Sequence, residues 1–180
     1  MLTLLWFSRD LRLTDNPALD AAVARGGEIV PVFLLDDNDA GEWAPGGASR
    51  WWLHGSLAAL DGSLAKRGNK LVLRRGNAEH VIEKLVEKTG ADAVYWNRRY
   101  EPWAIARGER LKTNLKSRGI EARSFNSALI REPWTVATQK GEPYRVFTPF
   151  WKSLRTTGVS ESAMAPPKRI TAPKTFPVSE

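Results

Sequence analysis

Residues 4–19, LLWFSRDLRLTDNPAL, join the end of one secondary-structure element to the start of the next. The apolar beginning predicts a buried strand, and Asn16 followed by Pro17 is a favourable start for a helix. In a nucleotide-binding α/β protein the turn between them would be rich in glycine. Residues 8–13 instead contain two arginines and an aspartate but no glycine, which argues against ordinary NAD or FAD binding at this turn.

The chain continues this alternation of strand and helix as far as residue 126. Apolar runs predict strands at 2–7, 28–35, 71–73, 93–96 and 121–125. Apolar residues at helical spacing and glycine or proline boundaries predict helices at 17–25, 49–66, 78–88 and 102–118. Such alternation is typical of a doubly wound sheet with right-handed crossovers. We therefore predict an α/β, Rossmann-like fold in which a five-stranded parallel sheet has helices on both faces.

The pattern changes after residue 126. An irregular turn, a short hairpin around Lys140–Gly141 and a short helix from Pro149 are expected next. Residues 159–180 hold four of the eleven prolines and little apolar periodicity, which predicts a linker that is mobile or packed on neighbours. The predicted division is therefore a sheet domain at 1–158 and a proline-rich linker at 159–180.

Length and composition narrow the class of protein. A chain of 180 residues, 42% of them hydrophobic, can bury the core of one domain. The absence of cysteine excludes disulfides, thiol nucleophiles and cysteine-metal sites, and it fits a reducing cytoplasm. No apolar run approaches the roughly 18 residues of a membrane helix, and no signal-peptide pattern opens the chain. We expect a soluble, cytoplasmic protein with no membrane partner.

The net charge of +7 comes from the second half of the chain. Residues 1–90 carry 11 Lys and Arg against 12 Asp and Glu, a net of −1, whereas residues 91–180 carry 16 against 8, a net of +8. A basic half suits contact with nucleic acid or another anion. It equally suits a solvated helix surface with a basic tail, and charge alone does not decide between them.

The motifs of the common enzyme classes are missing. The sequence has no GxGxxG after the first strand, no P-loop and no GxSxG elbow. The two histidines, His54 and His80, lie in predicted helices without a ligand partner three or four residues away. We assign no catalytic residue and no metal ligand. A ligand of such a sheet would bind at the loops after strands one, two and four.

Arginines and tryptophans near those loops allow two interpretations each. Arg9 and Arg12 could present guanidinium forks to a carboxylate or phosphate, or they could pair with Asp10 and Asp15 and stiffen the turn. The local ion pairs are the more ordinary interpretation. The eight tryptophans could form flat walls for a conjugated ligand, although packing in the core or at a domain interface is the more ordinary role for most of them.

Five segments, in order and at suitable spacing, resemble the N-terminal α/β domain of the DNA photolyase and cryptochrome family. They are WFSRDLRLTDNPAL (6–19), VFLLDD (32–37), SRWWLHGSLAALDGSL (49–64), VYWNRRYEPWAIARGERL (94–111) and GEPYRVFTPFWKSL (141–154). Any one of them would be a weak match. Together they cover about residues 2–155, and this makes the resemblance specific.

The resemblance implies that this domain holds a light-harvesting antenna pigment near the loop after the first strand. It implies a full-length deoxyribodipyrimidine photolyase, a flavoprotein lyase that repairs UV-induced pyrimidine dimers in damaged DNA with light. The catalytic FAD would lie in a separate C-terminal helical domain, toward which the linker leads. These 180 residues would bind the pigment and would not catalyse repair. The implied partners are the pigment, the FAD domain and, through the full-length protein, damaged DNA.

Three pigments of the family are candidates: methenyltetrahydrofolate, 8-hydroxy-5-deazaflavin and FMN. The positions that match the deazaflavin pocket are Phe33, Asp36 and Glu101, and their residue types agree. Arg99 stands where that pattern has an aspartate. Trp103–Ala104 stand where a folate pattern has Asn-Glu. The match favours a flavin-like pigment slightly, and its identity and presence stay open.

Arg9 and Arg99 join these three as candidate pigment-binding residues. Arg99 could pair with Glu101 or Asp36, or it could meet an acidic tail or phosphate of the pigment. Ordinary structural roles also exist for the others: core packing for Phe33, helix capping or a loop position for Asp36, and complementing a helix dipole for Glu101.

Functions of other classes fit parts of the same pattern. A cryptochrome-type photoreceptor would share the fold without catalysis. A stand-alone interaction module would bind protein or RNA through its basic half. A third alternative is an adenine-nucleotide binder with a related sheet.

Overall fold

The structure is a computed structural model that describes residues 1–37, 41–158 and 163–180. Its strands are β1 (Leu2–Phe7), β2 (Glu28–Leu35), β3 (Val72–Arg75), β4 (Ala93–Asn97) and β5 (Glu121–Phe125). Its helices are α1 (Pro17–Arg25), α2 (Gly47–Ala65), α3 (Ala78–Thr89), α4 (Pro102–Ser117) and α5 (Phe147–Thr157). The predicted α/β class with a five-stranded parallel sheet is confirmed. The ends of the elements through β5 agree with the predicted ones to within two residues.

The sheet has the strand order β3-β2-β1-β4-β5, and every pair is parallel. From β1 the chain first adds β2 and β3 on one side and then returns to add β4 and β5 on the other. The order therefore reverses between β1 and β4. In sheets of this kind a ligand binds beyond the carboxyl ends of the strands at this reversal.

Alternating side chains of the central strand feed two separate cores. Leu4 and Trp6 pack on one face with residues of α3 and α4, and Leu5 and Phe7 pack on the other with residues of α1 and α2. Because both faces of the sheet are covered, the strands are apolar throughout rather than alternating. The sheet is therefore a rigid base for the loops at its carboxyl edge.

The described chain divides into two compact units. The first contains residues 1–127 and 164–180, and the second contains residues 128–163. Within the second unit, Thr138 donates its N–H to the carbonyl of Glu142 at 2.8 Å, which closes a turn. The described residues around it form no strands, so the hairpin expected at Lys140–Gly141 is wrong. Pro143 follows the turn and has no N–H with which to extend a ladder.

Residues 164–180, here called the C-terminal strap, contain no helix or strand but lie against the sheet unit. The Ile29 N–H donates to the Thr171 carbonyl at 2.8 Å, and the Glu180 N–H donates to the Leu73 carbonyl of β3 at 3.1 Å. Ile170 is buried in the core cluster of α1 and α2. The units thus divide the chain differently from the predicted boundary at 158, and the start of the expected linker, 159–162, lies outside the described residues.

Residues 38–40, in the expected loop between β2 and α2, also lie outside the described part. None of the helices in the described ranges combines the length and the hydropathy that a bilayer crossing requires.

Candidate functional site

A cleft of about 940 Å³ opens beyond the carboxyl ends of β1 and β2 and beside the start of α4. Its walls come from the loop after β1, the end of β2, the segment after β4 and one side of α2. The volume suits a ligand of cofactor size. The loops after strands one, two and four therefore meet at one cleft, as the sheet topology predicts, and α2 adds a wall that the sequence analysis did not predict.

The loop after β1 is held by a buried aspartate. The Asp10 carboxylate accepts hydrogen bonds from the Ser8 N–H at 2.9 Å and from the Ser8 hydroxyl at 3.2 Å. Its second oxygen accepts from the side-chain amide of Asn97, at the end of β4, at 2.5 Å. Asp10 is 9% exposed. The loop is therefore tied across the sheet rather than closed by glycines.

The same amide joins this loop to the start of α1. Asn97 donates to the Asn16 side-chain oxygen at 2.8 Å, and its own oxygen accepts from the Ala18 N–H at 3.1 Å. Asn16 also accepts from the Leu19 N–H at 3.1 Å, as its predicted role as an N-cap requires. Sequence reasoning missed Asn97, for which the available signal was a lone amide ending an apolar strand.

The two arginines of this loop do not form the local ion pairs of the ordinary interpretation. Arg12 donates from its guanidinium to the backbone carbonyls of Asp15 at 3.0 Å and Ser127 at 2.8 Å. Arg9 forms an ion pair with Glu101 at 2.9 Å and leaves 73% of its side chain exposed. Arg12 thus fixes the backbone of the loop, whereas Arg9 reaches across the cleft edge.

Glu101 lies between two guanidinium groups. Arg99 contacts it in a bidentate manner, with Nη2–Oε1 at 2.8 Å and Nε–Oε2 at 3.3 Å. The hydrogen bond from Arg99, aided by the charge of Arg9, holds the pKa of the Glu101 carboxyl below its ordinary value despite partial burial. Arg99 also lies over the Trp103 ring, 4.4 Å from its centroid. Of the alternatives weighed for Arg99, the structure shows the pair with Glu101.

Phe33 and Asp36 line the cleft from the end of β2, and Arg9 and Arg99 line it from the other side. Phe33 is also packed in the core cluster of α1 and α2. Asp36 accepts from the Ala78 N–H at 2.9 Å and so helps to cap α3. Four of the five predicted site residues therefore border one space, and Glu101 supports it by holding the two arginines.

The aromatic wall of the cleft comes from α2 and the segment before it, which the sequence did not indicate as part of the site. Trp52 of α2 and Trp43 before it line the cleft, with 72% and 83% of their surfaces exposed. Trp51 is 77% exposed and is not among the described residues that line the cleft. Trp96 is packed in the core, as the ordinary interpretation expects, whereas these three are not; packing at a domain interface stays a prediction for them.

A buried cation, Arg107 of α4, forms part of the cleft floor. Its guanidinium lies 4.7 Å from the ring centroid of Trp6 and 5.2 Å from that of Trp103. Sequence reasoning missed Arg107. The signal was its position on the α4 face that also carries the buried residues Ala104 and Leu111.

The cleft is cationic overall. Among the described residues that line it there are four arginines, at positions 9, 12, 99 and 107, and one carboxylate, Asp36. Even with Glu101 counted against them, positive charge remains in excess. In residues 1–37, 41–158 and 163–180 no three His, Asp or Glu side chains gather so as to hold a metal ion. Flat aromatic surface with cations beside it suits a conjugated molecule with an anionic group.

The family model for DNA photolyase matches residues 3–171 of this chain. The chain is 48% identical over 177 residues to a deoxyribodipyrimidine photo-lyase of Agrobacterium fabrum, and 41% identical over 170 residues to cryptochrome-1 of Arabidopsis thaliana. These matches cover 98% and 93% of this chain but 36% and 25% of the two relatives. The chain thus spans about a third of the first and a quarter of the second.

Solved structures of photolyases also superpose on this chain. A class III photolyase of Agrobacterium tumefaciens superposes with a TM-score of 0.90 at 47% identity, over 99% of this chain and 36% of that one. An archaeal photolyase of Sulfolobus tokodaii, described with two FAD molecules and a novel light-harvesting cofactor, superposes with a TM-score of 0.72 at 26% identity. That match covers 96% of this chain and 37% of the other.

Proposed function

Because the chain belongs to the DNA photolyase family, we propose that it is the light-harvesting domain of a flavin-dependent photolyase and that its cleft holds the antenna pigment. The observation that carries this proposal is the cleft itself, with exposed tryptophans on one wall and arginines on the other. Bound there, a pigment absorbs light and passes on its excitation energy. The residues of this chain bind it, orient it and limit its contact with water.

The predicted site residues have distinct parts in this proposal. Phe33 offers a flat apolar contact at the floor, and Asp36 offers a hydrogen-bond acceptor to a ring N–H. Arg9 and Arg99 offer donors to an anionic group of the pigment. Glu101 holds both guanidiniums in place, since it pairs with Arg9 at 2.9 Å and with Arg99 at 2.8 Å.

The charge of the cleft narrows the choice among the three pigments. FMN carries a phosphate and methenyltetrahydrofolate carries a glutamate tail, and either would meet the excess of arginines. 8-Hydroxy-5-deazaflavin carries neither a phosphate nor a glutamate tail. We propose that FMN or the folate binds more tightly than the deazaflavin. The two FAD molecules of the Sulfolobus protein support a flavin as one of the probes.

A fluorescence titration of the purified, pigment-free chain with each pigment tests this function. Two neighbouring tryptophans of α2 supply a matched pair of variants. Trp52→Ala removes an aromatic side chain that lines the cleft, and we expect the Kd to rise about tenfold. Trp51→Ala removes an equally exposed ring outside it, and the Kd should not change. No saturable binding of any pigment, or equal effects of the two variants, would refute an antenna site in this cleft.

We propose that the full-length protein repairs UV-induced pyrimidine dimers in damaged DNA, with FAD in a further domain. The photo-lyase relative, 48% identical, supports this activity. The exposed aromatic surface of α5, formed by Phe147 and Trp151 stacked at 6.2 Å, supports contact with that further domain. Expression of the full-length protein in repair-deficient cells should restore survival after UV under blue light and not in darkness.

A cryptochrome-type photoreceptor is the second candidate, supported by the Arabidopsis relative at 41% identity. In that case the full-length protein would fail to restore survival under blue light while the isolated chain still bound its pigment. The survival assay and the titration together therefore separate the two candidates.

A further inference from the structure

We propose that Arg107 protects the excited state of a pigment in the cleft by making the two tryptophans beneath it poor electron donors. This inference rests on the proposed antenna function. The guanidinium lies over Trp6 at 4.7 Å and over Trp103 at 5.2 Å from the ring centroids. All three side chains line the cleft, so a pigment held there lies beside both indoles.

Burying the charged side chain of Arg107 costs more free energy than burying an apolar side chain for packing would. It is 6% exposed and lies on the α4 face that carries the buried residues Ala104 and Leu111. Taking a charge out of water costs free energy that an apolar side chain of similar length would not incur. The two indole faces recover part of that cost by cation–π attraction. A methionine would fill a similar volume without placing a charge over the two indoles.

Indole is among the most easily oxidised side chains, and an excited conjugated pigment is a strong one-electron acceptor. A tryptophan beside it can give up one electron and become an indole radical cation, while the pigment is reduced by one electron. The electron then returns, both partners regain their ground states, and the excitation is lost as heat without net chemistry. An antenna needs its excitation to survive long enough to be passed on.

A fixed cation over the ring opposes this loss. The positive charge on Arg107 repels the charge that would form on Trp6 or Trp103, and the repulsion is stronger at Trp6, because Arg107 and Trp6 are both buried. The same arrangement continues inward. Trp6 and Trp96 have ring centroids 6.1 Å apart, and Lys112 lies 5.7 Å from the Trp96 centroid. Movement of a hole from Trp6 to Trp96 is therefore also opposed by a nearby cation.

The test measures the fluorescence lifetime of bound FMN, or of bound methenyltetrahydrofolate if only the folate binds, in the isolated chain. A cation–π contact changes the equilibrium constant for oxidising the ring by roughly 3- to 30-fold. Arg107→Met should therefore shorten the lifetime of the bound pigment, by at most about that factor, with Arg107→Lys closer to the wild type. Arg110→Met is the matched control, since it removes an exposed guanidinium on the same helix, paired with Glu79, and should leave the lifetime unchanged.

A double variant separates electron transfer from a looser cleft. Adding Trp6→Phe to Arg107→Met removes the indole nearest to Arg107, at 4.7 Å, and should lengthen the lifetime again; Trp103 also has Arg99 over its ring, at 4.4 Å. An unchanged lifetime in Arg107→Met, or a short lifetime that Trp6→Phe fails to lengthen, would overturn the role of Arg107 while leaving pigment binding intact. If Arg107→Met does not fold by circular dichroism, the neutral variant Arg107→Gln, alone and combined with Trp6→Phe, gives the same comparison. No binding of any pigment would overturn the antenna function, and this inference with it.

Discussion

The amide of Asn97 links the end of β4 to the loop after β1 and to the start of α1, and its removal should destabilise the sheet unit strongly. It donates to Asp10 at 2.5 Å and to Asn16 at 2.8 Å, and it accepts from the Ala18 N–H at 3.1 Å. In Asn97→Ala, one Asp10 oxygen and the Ala18 N–H lose this partner in a buried setting. Each such loss costs about 1–3 kcal/mol, more for a charged group, so we expect about 3–5 kcal/mol in total.

Urea unfolding followed by circular dichroism measures this loss, which corresponds to a fall in midpoint of about 1–2 M. Asn114→Ala is the matched control, because Asn114 is an exposed amide on α4 that donates to Glu83, and its loss should cost less than about 0.5 kcal/mol. Asn97→Asp places a second carboxylate beside Asp10, and the two like charges repel each other. Its destabilisation should therefore shrink as the pH falls from 7 to 5. A loss below about 1 kcal/mol in Asn97→Ala would refute the view that this network holds the loop.

Two further predictions concern stability. Ile170→Ala in the C-terminal strap should lower the free energy of unfolding by about 2–5 kcal/mol, because Ile170 is 1% exposed. Val178→Ala is the control: Val178 is 66% exposed, and its loss should lower the free energy of unfolding by less than about 0.5 kcal/mol. Equal midpoints in urea for the two variants would show that the strap does not stabilise the sheet unit. The pKa of Asp92 is lowered by its hydrogen bond from Arg25, and that of Glu121 is lowered by the hydroxyl of Tyr95 and by Arg25. Since both folded pKa values lie below the unfolded ones of about 4, this stabilisation is complete above that pH and is lost as the pH falls through the folded values. The acid limb of a stability–pH curve should flatten in Arg25→Met, and an unaltered limb would contradict this assignment.

The elements of the sheet could be predicted because each carries a local signal. Asn16 and Pro17 mark the start of α1, and Gly90 ends α3 with a left-handed backbone. The place of the cleft followed from topology, since parallel strands that alternate with helices leave their carboxyl ends at one edge. These features depend on residues near in sequence or on general rules of chain connection.

The contacts that build the cleft depend instead on pairs distant in sequence. Asn97 and Asp10 are separated by 87 positions, and no local pattern announces that they meet. The strap is similar, since Ile170 reaches the core without any periodicity around it. Composition predicted that the strap would lack regular structure. It did not predict which backbone groups of the sheet the strap would hydrogen-bond.

The loop that lacks glycine can now be understood in physical terms. A dinucleotide cradle needs glycine because the backbone itself must approach a pyrophosphate. In this chain Asp10 and Asn97 satisfy the backbone and the start of α1 from within, and the surface offered to a ligand consists of side chains such as Arg9 and Trp52. Scaffold and binding surface are therefore carried by different residues. If the cleft binds a pigment as proposed, its preference can change through cleft side chains with little loss of stability, and the Asn97 and Trp52 variants test the two halves of this separation independently.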